Sequence, residues 1–219
     1  CQVFRPNGPG TTSFINLEGI CSGELPQYVA QFNGNANIFI KAPMLVSGSS
    51  PITVAGWFNY NSAMPNPAML WSYGVSGNCG AGNYFSLRYN YGSGNSNPTF
   101  TTDPWCNQVA TALTPIAGVW YFIVETANTT GFGIYVGGNG KLYSNSGGPA
   151  ANIISSSYFE IATGNDGSNF IGYISNLQIY NTSLSANEVQ ALYQEGIGGA
   201  PIDLQHLVAW WPLNGNAND

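Results

Sequence analysis

Residues 170–196 read FIGYISNLQIYNTSLSANEVQALYQEG and join a long strand pattern to a short helix pattern. Apolar and β-branched residues dominate the first eleven positions, which predicts a β-strand. Ser185 and Glu188 have the spacing of a helix capping box, and apolar residues then recur at helical spacing. The stretch therefore predicts one long strand followed by a short helix near residues 185–195.

Short strand patterns also precede this stretch, with Gly, Asn, Pro or Ser turns between them. The predicted strands cover residues 28–33, 36–41, 52–60, 68–73, 83–90, 119–126, 131–137, 158–163 and 170–180. Many short strands joined by turns are typical of an antiparallel sandwich or jelly roll. We therefore predict an all-β fold with one short C-terminal helix. The predicted parts are an N-terminal extension (1–26), the jelly roll (27–196), a linker (197–206) and a C-terminal strand (207–219).

The charge content of this 219-residue chain is unusually low. Asp, Glu, Lys and Arg make up 6% of the residues, compared with about 25% in an average domain. The net charge is −6, and the four basic residues are scattered along the chain, which argues against nucleic-acid binding. No apolar run approaches the ~20 residues of a membrane-spanning helix, so no transmembrane segment is predicted.

Cysteines and glycosylation motifs favour an extracellular, cell-surface location. The four cysteines allow three disulfide pairings, of which the most local is Cys1–Cys21 with Cys79–Cys106. Two Asn-x-Ser/Thr motifs start at Asn128 and Asn181 and predict glycosylation. Disulfides and glycans are both features of secreted proteins.

Several stretches resemble the LamG domain, a laminin-G-like jelly roll of the concanavalin A-like class. They are YVAQFNGNANIFIKAP, ITVAGWFNYN, GVWYFIVETANTTGFGIYVGG and the strand-and-helix stretch quoted first. The resemblance covers residues 28–196, about three quarters of the chain. It implies a concanavalin A-like sandwich in which the first and last strands lie side by side.

The segment LVAWWPLNGNAND, residues 207–219, resembles the first strand of LamG domains but stands at the other end of this chain. Three arrangements are open. The strand could return to its own sheet, enter the sheet of the next subunit, or begin a further domain of a tandem array. The run Thr12–Ile20 could also act as a substitute first strand. The predicted assembly residues are Leu207, Val208, Ala209, Trp210, Trp211 and Leu213.

Donation of this strand to a neighbour would bury its apolar side chains and repeat head to tail into a filament. We therefore predict a secreted structural or adhesive cell-surface protein that polymerises with itself. The alternatives are a carbohydrate-binding lectin-like module or one repeat of a larger tandem-LamG surface protein. Aromatic side chains that could stack on sugars are Trp71, Tyr73, Tyr89 and Trp105.

The resemblance also implies a possible Ca²⁺ site. LamG domains often hold Ca²⁺ with an acid after the first strand and an acid in the closing strand. Asn176 stands at the closing-strand position, Asn218 and Asp219 follow the first-strand motif, and Asp166 is a further oxygen donor. No other cofactor is expected.

Catalysis is not predicted. Glycosidases of this architecture need two carboxylates about 5–10 Å apart, and strands present paired acids at i, i+2 or i+4. Glu125 and Glu160 fall singly in predicted strands, where we expect edge or rim positions. The single histidine, His206, has no nucleophile near it in sequence.

Overall fold

Alternating strand patterns produce two antiparallel sheets that pack face to face in a computed structural model of the chain. The structure describes residues 3–4, 13–16, 28–35, 38–40, 46–65, 67–77, 79–89, 99–156, 158–163 and 168–213. The strands are β1 (Val3–Phe4), β2 (Ser13–Asn16), β3 (Tyr28–Asn33), β4 (Ile38–Ile40), β5 (Ile52–Tyr60), β6 (Ala68–Gly74), β7 (Tyr84–Tyr89), β8 (Phe100–Thr102), β9 (Val109–Ala110), β10 (Trp120–Asn128), β11 (Gly131–Gly138), β12 (Lys141–Gly147), β13 (Phe159–Ile161), β14 (Ile171–Tyr180) and β15 (Leu207–Trp211), and the helix is α1 (Ala186–Glu195).

The first sheet has the order β1-β2-β3-β14-β5-β10-β11-β12, with β15 added beside β14, and the second has the order β4-β13-β6-β7-β8-β9. The predicted all-β sandwich with one short helix is confirmed. Sequence patterns missed the two-residue strand β1 and also β8, β9 and β12. Strands β8 and β9 are only three and two residues long, and β12 is a largely exposed edge strand without apolar alternation.

Both faces of the first sheet are covered by other parts of the protein, and β5 therefore carries apolar side chains on both of its faces. Its residues Ile52, Val54 and Phe58 belong to the main core between the sheets. Ala55 faces the other side, and Trp57 packs there against a second apolar cluster that includes α1. Strands buried on both faces read as nearly continuous apolar runs, as ITVAGWF does here.

The helix begins and ends close to the predicted positions. Its N-cap Ser185 accepts a hydrogen bond from the Glu188 backbone, and the Glu188 carboxylate accepts one from the Ser185 backbone N–H at 2.7 Å, so the capping box is confirmed. Gly196 ends the helix with φ of +77° and ψ of −176°, a conformation that favours glycine. Tyr193 stacks on Trp57 with 5.9 Å between ring centroids, which fixes the helix on the sheet.

Strand β14 is the longest strand and shares one of its edges between two partners. On one side, residues 172–175 and 178–180 pair with β5. On the other side its first part, Ile171–Ile174, pairs with β3, and its last part, Leu177–Tyr180, pairs with β15. A bulge between Ser175 and Gln178 interrupts the pairing with β5 near the junction of the two parts, and Asn176 within it has φ of +52°. The strand resembling a LamG first strand therefore lies beside the closing strand of its own chain.

Strand β15 is held by core contacts and by one buried amide. Leu213 is buried in the main core, and Ala209 and Trp211 pack against it from the side. The Trp210 indole N–H donates to Asn176 Oδ1 at 2.7 Å, and the Asn176 amide donates to the carbonyl of Gly199 in the linker at 2.8 Å. The Asn176 side chain on β14 thus forms hydrogen bonds with both β15 and the linker.

The run Thr12–Ile20 does not replace the first strand. Its described part, β2, pairs with β3 and β1 and not with β14. It extends the sheet at its margin, while β15 occupies the position beside β14.

Candidate functional site

Residues of β7 alternate between the core and the outer face of the second sheet. Phe85, Leu87 and Tyr89 point into the main core. Ser86 and Arg88 take the alternate positions and therefore face outward.

A row of polar groups crosses the outer face over four strands. The Ser72 hydroxyl on β6 donates to Glu160 Oε2 on β13 at 2.8 Å. Ser72 lies opposite Ser86 on β7, and the Ser86 hydroxyl donates to the backbone carbonyl of Asp103, just beyond β8, at 2.9 Å. One bond thus joins β6 to β13 and the other joins β7 to the residue after β8, and the two bonds lie at one level of the sheet.

Arg88 and Asp103 form a buried ion pair at the end of this row. Arg88 Nε lies 2.8 Å from Asp103 Oδ2, and both side chains are at most 5% exposed. Asp103 Oδ1 also accepts hydrogen bonds from the Trp105 backbone N–H at 3.1 Å and the Gln108 amide at 3.2 Å. Burial raises the pKa of the Asp103 carboxyl, and the charge of Arg88 opposes that rise.

The loop from Asp103 to Gln108 is fixed in an unusual conformation. Its three central residues, Trp105, Cys106 and Asn107, all have φ between +58° and +77°. Non-glycine residues reach this region only when surrounding contacts hold them there. A disulfide joins Cys106 to Cys79, and the Gly80 backbone N–H donates to the Trp105 carbonyl at 3.0 Å. The loop is therefore tied down on both sides of the tryptophan.

This loop presents Trp105 at the surface of the outer face. The indole ring packs edge-on to Tyr84, with 6.2 Å between centroids, and the Arg88 guanidinium lies 6.0 Å from its centroid. The side chain is nevertheless partly exposed, and its neighbours Asn107 and Gln108 are exposed. The combination of a held indole and two accessible amides suits recognition of a small polar ligand.

Three of the four aromatic residues predicted to bind sugars are in the interior, so that prediction is wrong for them. Trp71 is 0% exposed and donates through its indole N–H to Glu125, Tyr73 is 1% exposed, and Tyr89 stacks on Tyr60 in the core. A bulge between Met69 and Trp71 in β6 helps to direct Trp71 inward. Only Trp105 of the four keeps accessible surface.

Glu125 lies in the centre of the sandwich, which corrects the expectation of a rim position. It is 0% exposed on the central strand β10. Its Oε2 accepts the Trp71 hydrogen bond at 2.6 Å, and its Oε1 has no hydrogen-bond partner in the described structure. Burial raises the pKa of this carboxyl well above its ordinary value, and the nearby negative charge of Asp103 adds to the rise.

The calcium-ligand prediction fails for Asn176, whose side-chain oxygen is already used. Asn176 Oδ1 accepts hydrogen bonds from Trp210 and from the Gln178 amide at 3.0 Å, and the side chain is only 5% exposed. Asp166, Asn218 and Asp219 lie outside the described residues. Within the described ranges, no cluster of three His, Cys, Asp or Glu side chains could hold a metal ion.

The predicted modification sites have different surroundings. Cys79 and Cys106 form the predicted local disulfide, whereas Cys1 and Cys21 lie outside the described residues. Asn181 is exposed directly after β14. Asn128 is partly buried, and its amide donates to the hydroxyl of Ser183, in the other motif, at 3.0 Å. The two glycosylation motifs are therefore neighbours in space.

The two acidic groups that the described residues place on the outer face are separated by more than the carboxylates of a glycosidase pair. Glu160 and Asp103 are separated by three strand spacings, or about 14 Å. Such enzymes place their carboxylates roughly 5–10 Å apart. His206 is hydrogen-bonded through Nδ1 to Asp203 Oδ2 at 2.7 Å.

The Arg88–Asp103 pair was missed from the sequence, although a signal was present. In YFSLRY, residues 84–89, the polar residues alternate with apolar ones, which places Ser86 and Arg88 on one face. The motif Asp103-Pro104-Trp105-Cys106 then brings an acid and an aromatic residue close to a predicted disulfide. No sequence pattern indicated that these two stretches meet.

None of the described helices is long and apolar enough to cross a membrane.

Comparison with known proteins places the fold in one superfamily. The family model for the concanavalin A-like lectin/glucanases superfamily matches residues 32–190. No curated protein matches the chain in sequence.

Solved structures with the same fold are distant in sequence. The enzymatically active domain of tailspike protein 2 from bacteriophage CBA120 has a TM-score of 0.71 at 14% identity, covering 94% of this chain and 32% of that chain. A proposed carbohydrate-binding protein from Bacteroides ovatus has a TM-score of 0.65 at 15% identity, with 88% and 52% covered. Domain 4 of an extracellular arabinanase from Geobacillus stearothermophilus, in complex with arabinotriose, has a TM-score of 0.59 at 16% identity, with 85% and 82% covered. The chain thus spans only a third to a half of the first two proteins.

Proposed function

Because the chain belongs to the concanavalin A-like lectin/glucanases superfamily, we propose that it is an extracellular carbohydrate-binding domain that binds glycans at Trp105. Its partner is a glycan on a cell surface or in the extracellular matrix. It binds this partner without cleaving it, because the carboxylates of the outer face are too widely spaced.

The observation that carries this proposal is the way Trp105 is held. An aromatic side chain contributes most to sugar binding when its ring is accessible but fixed in place before the ligand arrives. The strained backbone, the disulfide and the ion pair beneath the loop meet this requirement. Asn107 and Gln108 beside the ring supply hydrogen-bonding groups for sugar hydroxyls.

Two of the similar structures support the same kind of ligand. The Bacteroides ovatus protein carries carbohydrate binding in its name, and the arabinanase domain was solved with arabinotriose. Their identity to this chain is too low to transfer a binding site, so Trp105 is assigned from the geometry of this chain alone. The Cys79–Cys106 disulfide and the two glycosylation motifs favour an extracellular location.

Replacing Trp105 with alanine is expected to weaken glycan binding by about 10- to 100-fold, because loss of a stacked aromatic side chain removes roughly 1.5–3 kcal/mol of apolar burial. Arabinotriose and a set of oligosaccharides can be titrated by calorimetry. Trp105→Phe should retain most of the binding. Tyr158→Ala is the matched control, since Tyr158 is 46% exposed elsewhere on the surface. Equal binding by Trp105→Ala and the unmodified protein would remove Trp105 from the site.

A second candidate function is a structural filament subunit that assembles through β15. The feature that favours it is the state of this strand: its residues are only partly buried, and β14 is its sole partner among the described strands. Exposed apolar residues also lie just before the strand, at Ile202 and Leu204, and within it, at Val208. The contacts that β15 makes with its own β14 would be equally available to a neighbour if the linker opened. The third possibility, that residues 207–219 begin another domain of a tandem protein, rests on the same partly buried strand.

Assembly can be tested on the full chain by electron microscopy and analytical ultracentrifugation. Head-to-tail strand exchange predicts filaments with a regular repeat above a critical concentration. A monomer at every concentration up to the millimolar range would contradict the filament and leave the glycan-binding proposal intact.

A further inference from the structure

The charges around Trp105 indicate which glycans this surface can take. We infer that the Trp105 surface, consisting of Trp105, Asn107 and Gln108, binds neutral glycans and discriminates against sulfated, sialylated or uronic-acid-rich ones. This inference rests on the proposed glycan-binding function and specifies the ligand class of that site.

The first step concerns the groups that the surface offers to a ligand. Asn107 and Gln108 are exposed carboxamides, which both donate and accept hydrogen bonds and carry no charge. Sugar hydroxyls also donate and accept, so each amide can pair with them in either direction. A sulfate or carboxylate only accepts, and it binds best to arginine, lysine or a cluster of backbone N–H groups.

The second step is the state of the nearby cation. Arg88 lies under the Trp105 ring, but it is buried and paired with Asp103 at 2.8 Å. An anionic sugar that recruited Arg88 would leave the buried Asp103 carboxylate without its opposite charge. Breaking a buried ion pair in this way is strongly unfavourable, because it leaves an uncompensated charge in the interior. Arg88 therefore positions the loop and does not serve as an anion-binding group.

The third step is the distribution of the remaining basic residues. The chain has four, and Arg5 and Lys41 lie outside the described residues. Lys141 is on β12, at the edge of the first sheet, where it lies over Tyr143. In the part of the chain that the structure describes, Arg88 is thus the sole basic residue of the second sheet.

The fourth step is the sign of the electrostatic potential. Glu160 lies on the same outer face, about three strands from Asp103 and partly exposed. The net charge of the chain is −6, which repels polyanions at low ionic strength. The Arg88–Asp103 pair adds no net charge beside Trp105, so the overall field of the chain acts against anionic glycans, while neutral sugars are unaffected.

The experiment compares two immobilised sets of oligosaccharides of equal length. The neutral set contains arabinan, xylan, mannan, galactan and glucan fragments. The anionic set contains sialylated glycans, polygalacturonate fragments and sulfated glycosaminoglycan fragments. The unmodified protein, Trp105→Ala and Trp105→Phe are measured at about 150 mM salt, where the long-range repulsion between the acidic chain and anionic ligands is largely screened and these ligands have a fair opportunity to bind.

The expected result is binding to at least one neutral glycan that Trp105→Ala weakens at least tenfold and Trp105→Phe largely retains, with anionic glycans at least tenfold weaker. Trp105-dependent binding of anionic glycans as strong as that of neutral ones would overturn the inference but uphold the proposed function. No binding to either set by the unmodified protein would overturn the proposed function, and the inference with it. Strong anionic binding that Trp105→Ala leaves unchanged would locate a different site and would also overturn the inference.

Discussion

Replacing Glu125 with glutamine is expected to raise the free energy of unfolding at neutral and alkaline pH. It should also remove most of the decrease in this free energy that the unmodified protein shows as pH rises. Glu125 is fully buried, and its pKa is raised well above the ordinary value by burial. Glutamine has the shape and neutrality of the protonated carboxyl, and its oxygen can still accept the Trp71 hydrogen bond. The substitution thus removes the ionisable group and keeps the contact.

The sign of the pH effect follows from proton linkage. In the unfolded chain Glu125 ionises near its ordinary pKa of about 4.3, whereas the folded protein keeps the proton to a higher pH. The contribution of Glu125 to the free energy of unfolding is therefore fully present below about pH 4.3. It is lost as pH rises toward the pKa that Glu125 has in the folded protein. Within that window the free energy of unfolding falls by about 1.4 kcal/mol per pH unit for this group.

Urea unfolding of both proteins between pH 3 and pH 9 measures this effect. Glu125→Gln should match the unmodified protein near pH 3 and exceed it increasingly above pH 5. Burial also raises the pKa of Asp103. The free energy of unfolding of Glu125→Gln should therefore still fall with rising pH, but less steeply than that of the unmodified protein. Glu160→Gln is the matched control, because it makes the same chemical change at a partly exposed strand residue. Parallel profiles for Glu125→Gln and the unmodified protein would show that Glu125 is not the group responsible.

Removal of residues 207–219 is expected to destabilise the fold by more than about 5 kcal/mol, which is comparable to the whole stability of many domains. The deletion takes Leu213 out of the main core, where it is 2% exposed, and removes Trp211 and Ala209 from its margin. Leu207 is lost from the helix cluster. Each large buried side chain contributes roughly 1.5–3 kcal/mol, and the edge of β14 also loses its backbone partners.

Single substitutions in the same segment provide the control. Leu213→Ala should lower the free energy of unfolding by about 2–4 kcal/mol, because it opens a cavity in the core. Val208→Ser should change it by less than about 0.5 kcal/mol, because Val208 is 43% exposed on the same strand. Equal effects of the two substitutions would contradict the burial of Leu213 in this segment.

Rescue of the truncated chain distinguishes self-closure from donation to a neighbour. A synthetic peptide of residues 205–219 should bind the truncated chain and restore its thermal transition in both arrangements. Added full-length chain should not restore it if β15 is held by its own β14, since the strand is then occupied. Capture of the full-length chain in a mixed complex would instead support exchange between subunits.

Local patterns in this chain are enough to predict much of its architecture. The capping box at Ser185 and Glu188 predicts the helix within one residue, because a helix end is decided by neighbouring residues. The strand patterns of β3, β5, β6 and β14 are equally local, since alternation and turn residues act over a few positions. The Cys79–Cys106 disulfide belongs to the most local of the three cysteine pairings that the sequence leaves open.

Properties that depend on distant contacts could be seen only in the folded chain. The strand pattern places Trp71 in a sheet, but it does not say that Trp71 meets Glu125 in the core. It also does not say that Arg88 and Asp103 form an ion pair beside Trp105. The same limit applies to LVAWW, whose apolar faces need a partner that the strand pattern cannot identify. Burial and pairing are decided by which surfaces meet when both sheets, the helix and the linker pack together, and those surfaces are far apart along the chain.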